Sequence, residues 1–167
     1  MSEAEQVVRS YFDALEAKDL VRVDAVVSPD LVFVTPLKPL GKQDLLRLFR
    51  AVFDAFPDWR FDHQELVTSG DIVKTKLRMA GTHTGMFVPP LRVLKPINAT
   101  GRKVVLPEQE FVYHVEGGKI VRIVPEPVPD GGIPGLLKQI GVTLPPLWLM
   151  RLIARVSGLV RGGALSA

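Results

Sequence analysis

Residues 71–85, DIVKTKLRMAGTHTG, decide how the chain is read. Val73, Thr75, Leu77 and Met79 alternate with Lys74, Lys76 and Arg78. A strand sends successive side chains to opposite faces, so this alternation predicts a half-buried antiparallel strand with one face in water. His83 shares the parity of the apolar set, and a strand continued through Gly81 points it inward. Gly81 and Gly85 allow the backbone to bend on either side of it.

Upstream, Val7, Val8, Tyr11, Phe12, Leu15, Leu20, Val23 and Val26 recur at spacings of three and four, which predicts an amphipathic helix from Glu3 to about Val27, broken near Lys18 and Asp19. SPDLVFVTP (28–36) is a turn followed by a short strand that Pro36 ends. DLLRLFRAVFDAFPD (44–58) returns to the helical spacing and stops at Pro57. Downstream, RKVVLPEQEFVYHV (102–115), EGGK (116–119) and IVRIVPEPV (120–128) predict strand, turn and strand of a hairpin. The order of helix, strand, helix and then several strands is α+β, with helices packed on one face of a curved, largely antiparallel sheet.

At 167 residues, 47% of them hydrophobic, the chain suits one domain with a real core. It has no cysteine, which excludes a disulfide framework, a thiolate zinc site and a cysteine nucleophile. Its first residues, MSEAEQVVRSYFDALEAKD, are acidic and helical where a secretory signal needs a basic end and an apolar run, so a cytoplasmic protein is expected. The net charge of +3 is unevenly placed: every Asp and Glu lies at or before Asp130, leaving Lys138, Arg151, Arg155 and Arg161 alone in the tail. The remaining 17 basic groups face 18 acidic ones, so the body carries no phosphate-binding surface and no nucleic-acid partner is expected.

FPDWRFDHQELVTSGDIVKTKLRMAGTHTGMF (56–87), GRKVVLPEQEFVYHVEGGKIVRI (101–123) and GLLKQIGV (135–142) together resemble the SnoaL-like polyketide cyclases, within the nuclear-transport-factor-like, ketosteroid-isomerase-like superfamily. The cues are FPD before a strand, GD opening the next, GTHTG closing it, the GGKI hairpin and the final GLLKQIG, and the likeness spans roughly residues 3–142. It implies a cone-shaped α+β barrel whose N-terminal helices and strongly curved mixed sheet enclose an apolar pocket. It also implies a homodimer, expected to form through the outer sheet face. The boundary then falls at 142, with residues 143–167 as an extension. In such cyclases the chemistry resembles acid/base aldol catalysis without metal or cofactor. A His on the strand before the GKI turn and an Asp on the strand after it serve the substrate. Counted from GGKI, those positions fall on Phe111 and Pro125, and a further His position before the proline of the first strand falls on Val34.

The candidate proton-transfer residues are therefore His83 and Glu126. His83 titrates near neutral pH if it lines the pocket; otherwise it caps a turn or meets solvent at a strand end. Glu126, in PEPVP beside Pro125, is a carboxylate in an apolar cavity if a one-residue slip turns it inward, and a solvated charge otherwise. Trp59, His63, Met79, Phe87, Phe111 and Tyr113 are the expected ligand-binding residues, with Trp59 and Phe87 as walls and Tyr113 able to present a hydroxyl. Glu108, Glu110 and His114 share the opposite parity from Phe111 and Tyr113 and are expected outside. No His and carboxylate spacing suits a metal, so no metal and no cofactor are expected.

Two functions follow. One is a cofactor-independent acid/base enzyme of cyclase, isomerase or hydratase type on a polyketide-, steroid- or lipid-like molecule; the other is a non-catalytic module binding a hydrophobic small molecule. A cone filled by Phe33, Phe53, Phe56, Trp59, Phe87, Phe111 and Tyr113 would instead suit a protein-interaction platform.

In the tail, IPGLLKQIG (133–141) reads as a short helix and Leu147 to Val160 as a second, amphipathic one. Trp148, Leu149, Leu152, Ile153, Val156 and Val160 form its apolar face, with Arg151, Arg155 and Arg161 toward the other. A bilayer span needs about 20 apolar residues, so this helix lies on a surface: the mouth of its own cone, a partner subunit or an anionic membrane. Packing on protein is the expectation, because only three arginines are present.

Overall fold

The computed structural model describes residues 1–90, 94–146 and 148–152. Helix α1 (Glu3–Glu16) starts where Ser2 accepts the Glu5 amide on its hydroxyl, and it buries Val8, Tyr11, Phe12 and Leu15. The helix breaks at Lys18, which takes a left-handed φ of 54°, and α2 (Leu20–Val26) restarts on the Asp19 cap. Strand β1 (Val27–Phe33) follows directly, then α3 (Lys42–Ala55), which stops ahead of Pro57.

The remaining elements are β2 (Val67–Ser69), β3 (Ile72–Leu77), β4 (Ala80–Thr82), β5 (Lys103–Val105), β6 (Gln109–Glu116), β7 (Lys119–Pro125) and α4 (Gly132–Gln139). The main sheet has the order β1-β7-β6-β3-β2, with β1 parallel to β7 and the other neighbours antiparallel. Tyr11, Phe12 and Leu15 of α1 and Leu45, Phe49 and Val52 of α3 join Val73, Leu77, Phe111, Tyr113 and Val115 of the sheet in one apolar core.

The long strand expected through His83 is two strands. The β3–β6 ladder ends at Leu77 opposite Gln109, and the next pair is Ala80 opposite Val105 in a separate two-stranded sheet, β4 with β5. Two intervening residues on one side, 78 and 79, face three on the other, 106–108, an offset that bends both strands. Two local causes act together. Pro107 has no amide to donate, and the Arg78 amide turns away to the carbonyls of Phe61 and Asp62. The expected strand over residues 102–115 divides at the same proline. The odd-numbered positions from Val73 to His83 nevertheless stay buried, with Ala80 at the bend buried as well, and His83 is fully buried at 0% exposure.

The GTHTG stretch is a clasp on the end of α3. The Thr84 and Gly85 amides both donate to the Ala55 carbonyl, at 3.1 and 2.9 Å, and so supply partners for the end of the helix. The Asp58 carboxylate accepts the Thr82 amide at 2.7 Å and its hydroxyl at 2.8 Å. A Cβ on Gly85 would collide with the Asp54 carbonyl oxygen, and one on Gly81 would sit 2.7 Å from the Trp59 ring. The two glycines are close-approach positions between β4 and the helix layer.

Gly85→Ala therefore costs about 1–3 kcal/mol of unfolding free energy in a urea titration. Gly41→Ala, whose added Cβ meets nothing within 4 Å, changes stability by less than about 0.5 kcal/mol. The Thr82 amide holds the Asp58 carboxyl below its ordinary value of 3.8. A carboxylate whose folded pKa is depressed contributes stability above the ordinary value and loses it as pH falls through the folded one. Asp58→Asn is thus less stable than the parent at neutral pH, and the two urea midpoints converge below pH 3.8.

Candidate functional site

The expected site residues gather in two aromatic groups. In the first, Gln109, Phe111, Tyr113 and Val115 alternate along the inner face of β6 and are all buried. Tyr113 packs on Tyr11 of α1 with ring centroids 5.7 Å apart, on Phe12 at 5.6 Å and on Phe111 at 6.4 Å. His63 joins this group by stacking on Phe12 at 4.4 Å, nearly parallel, and is half-buried. Phe49 of α3 closes the other side of Tyr11 at 6.4 Å.

Burial alone pushes the Tyr11 phenol well above its ordinary value of 10. Tyr113 is raised by burial first and by its neighbour Tyr11 second. Neither shift has a hydrogen bond among its causes. Both phenols stay protonated, and each hydroxyl can donate to a carbonyl oxygen.

The second group surrounds Phe56. His83 stacks on it at 5.1 Å, Trp59 meets it edge-on at 5.3 Å and Phe87 lies at 6.4 Å. The His83 Nδ1 accepts the Thr100 amide at 3.3 Å and lies 3.0 Å from the Thr100 hydroxyl. An accepting Nδ1 assigns the ring proton to Nε2. That Nε2 is buried without a partner among the described residues, and burial lowers the pKa of the ring. His83 is a neutral imidazole whose basic nitrogen is already occupied. Met79 is buried, and its carbonyl accepts the Leu106 amide at 2.9 Å.

Glu126 belongs to neither group. Its backbone amide donates to the Glu110 carbonyl at 2.7 Å, and its carboxylate accepts the Glu110 amide at 3.3 Å on an exposed strand end. The inward slip does not occur, because this backbone bond carries the β6–β7 register one residue past Phe111–Pro125. Of the two alternatives Glu126 is the solvated charge, and it is not brought together with His83. Glu108 is exposed outside, where Arg78, Lys76 and Gln64 hold its carboxyl below the usual range. Glu110 and His114 are half-buried on that outer face.

Phe111 and Pro125 are direct partners across β6 and β7. Val34 is half-buried, its amide bound to the Ile123 carbonyl at 3.0 Å. The three positions marked for acid/base groups therefore carry no ionisable side chain.

Three residues escaped the sequence reading. In the sequence Tyr11 reads only as one position of a helical stripe. Gln109 shares the parity of Phe111 and Tyr113, a signal that was available. Its Nε2 donates to the Glu126 carbonyl at 2.5 Å, while its buried Oε1 has no partner among the described residues. Thr100 lies in an aperiodic stretch and gave no signal. A surface cleft of about 590 Å³ lies elsewhere, between the α1–α2 turn and α3, lined by Lys18, Leu20, Val21, Arg50 and Phe53 among others. It contains none of the expected ligand-binding residues.

These features can be set against known proteins. The profile of the SnoaL-like domain family matches residues 8–123. No curated protein matches the chain. Among solved structures, AclR of Streptomyces galilaeus, a candidate hydroxylase, aligns with a TM-score of 0.65 at 19% identity, covering 100% of this chain and 99% of that one. IdmH of Streptomyces antibioticus, a candidate polyketide cyclase, aligns with a TM-score of 0.61 at 21% identity, covering 84% of this chain and all of that one. An NTF2-like protein of unknown function from Burkholderia pseudomallei gives 0.62 at 19% identity over 85% of this chain and all of its own. At these identities the likeness is one of fold. With the family profile spanning most of the core that packs α1 on the inner face of β6, the chain belongs to the SnoaL-like domain family.

Proposed function

We propose that this protein binds an apolar small molecule carrying a carbonyl group, of polyketide, steroid or lipid type, beside the inner face of β6, without transforming it. The carrying observation is the Phe111–Pro125 pair, which leaves no ionisable side chain at the two positions where an acid/base pair is implied. Tyr11 and Tyr113 supply hydroxyl donors that burial keeps protonated, and the unpartnered Gln109 Oε1 supplies an acceptor in the same layer. An apolar wall with a few polar groups that fix orientation is the usual composition of a small-molecule site. Phenol donors favour a neutral acceptor, because an ion brought among these rings would lose its hydration with no counter-charge to replace it.

The catalytic reading retains one specific support, the unpartnered Nε2–H of His83. That group is a donor, however, and isomerisation, cyclisation and hydration each need a base as well. The fully buried imidazole offers only His83 Nδ1, which Thr100 already occupies, and His63, half-buried against Phe12, is not brought together with it.

Solvent extraction of the purified protein, followed by mass spectrometry, separates the two. A co-purifying apolar ketone or ester that is released unchanged, and rebinds about three- to tenfold more weakly to Tyr113→Phe, is the expected result. Conversion of that compound by the parent, lost in His83→Phe, would instead establish an enzyme.

A structural His83 also has a pH signature. Its folded-state pKa lies below the ordinary 6.5, so its contribution is intact above 6.5 and declines as pH falls from 6.5 toward the folded value, while the unfolded chain takes up the proton first. His83→Phe keeps an aromatic ring beside Phe56 and should remove this decline from urea midpoints measured across the mildly acid range. Its ligand retention should match the parent.

A further inference from the structure

We infer that the C-terminal segment beginning at Pro146 attaches this protein to an anionic phospholipid surface, with Trp148 and Leu152 inserted at the headgroup level. The segment starts as a helical turn, with the Leu149 and Met150 amides donating to the Pro146 carbonyl at 2.9 and 3.1 Å. Arg151 holds it against the domain by donating from Nε to the Pro36 carbonyl at 3.2 Å. Leu149 and Met150 are half-buried. Trp148 and Leu152, one turn apart, are 68% and 52% exposed. Leu149, Met150 and Arg151 thus rest on the domain, while Trp148 and Leu152 are left uncovered by it. Residues 153–167 lie outside the described ones, so the remainder of the expected helix enters only through its sequence.

Charge decides what covers the exposed pair. No Asp or Glu follows Asp130, and Lys138 is matched within the domain by Asp130 at 2.9 Å. The chain after Pro146 contributes Arg151, Arg155 and Arg161 together with Trp, Leu, Ile and Val. A second copy brings carboxylates only from its residues 1–130, since its own tail is equally acid-free, and these stand among a similar number of basic groups. An anionic bilayer supplies the opposite charge over a broad area, and it accepts a Trp at the interface without requiring a shaped pocket. Arg151, Arg155 and Arg161 break residues 147–161 into apolar runs of four, three and five residues, too short to cross a bilayer, so the segment is placed in the interface plane.

The chain has two tryptophans, and Trp59 is already buried at 3% exposure, so a vesicle-induced shift in emission reports on Trp148. Vesicles of phosphatidylcholine mixed with phosphatidylglycerol should sediment the full-length protein and shift its emission to the blue; vesicles of phosphatidylcholine alone should do neither. Trp148→Phe should keep sedimentation and lose the shift. Trp148→Glu with Leu152→Glu should weaken binding about tenfold or more at unchanged thermal stability. Arg155→Gln with Arg161→Gln should weaken it by a similar factor, and raised salt should do the same to the parent. Equal binding to both vesicle types, or no binding to either, overturns the inference. Absence of vesicle binding with a drop from dimer to monomer in the Glu double variant overturns it too, and assigns the surface to a second copy.

Discussion

A helix that ends inside a domain leaves carbonyl oxygens that something must satisfy, and in this fold the end of α3 is met by the amides of Thr84 and Gly85. That contact works only if the chain after β4 passes within touching distance of Asp54, which is why Gly85 has no side chain. Asp58 then binds Thr82 from the far side of the Phe56–Trp59 turn, so helix end and strand end are tied twice within a few residues. The consequences reach the interior. Fixing β4 against α3 pulls it out of line with β3, and the one-residue offset between Leu77–Gln109 and Ala80–Val105 is where the sheet curls. On the other side of the same layer α1 lies across β6 and brings Tyr11 to Tyr113.

This explains which parts of the fold were readable from sequence. The helices were, because Val8, Tyr11, Phe12 and Leu15, or Leu45, Leu48, Phe49 and Val52, repeat at the helical period and are buried on that period. Even the break at Lys18 was visible. The split between β3 and β4 was not, since alternation of side chains survives a bend while the hydrogen-bond partner changes. Arg78 looks like any outward cation, yet its amide is bound to Phe61 and Asp62, residues chosen by tertiary contact. Pro107 was the one local warning. The motif GTHTG was recognisable, but its physical role as a clasp depends on Ala55 and Asp58, some 25 residues or more upstream of His83, where no periodicity connects them.

The site was legible in parity and not in chemistry. Inward pointing of Phe111, Tyr113 and His83 followed from counting by two. Glu126 could not be placed that way, because beside two prolines either face was open and the choice was made by its backbone bond to Glu110. Hydrogen bonding likewise decided His83: a ring that looks like a free base in sequence has its lone pair committed to Thr100, a residue 17 positions away in an aperiodic loop. Residue type gives the possible chemistry; the partner decides which nitrogen remains.

The interior and the tail solve opposite solvation problems in compatible ways. Around Tyr11 and Tyr113 the core carries no carboxylate, lysine or arginine, and His63 only stacks on Phe12 at the edge of the group, so whatever binds there is recognised through hydroxyls and dispersion against aromatic rings. Molecules of that kind dissolve poorly in water and partition into membranes for the same reason that Trp148 gains by leaving water. A protein that takes its ligand from solution sees only the small dissolved fraction, whereas one resting on a bilayer samples the larger reservoir directly. Placing a cationic, acid-free segment next to an exposed Trp and Leu is one way to stay at such a surface reversibly, since a few arginines and two apolar side chains hold weakly enough to let go. On this argument the two proposals rest on separate residues but call for the same class of molecule.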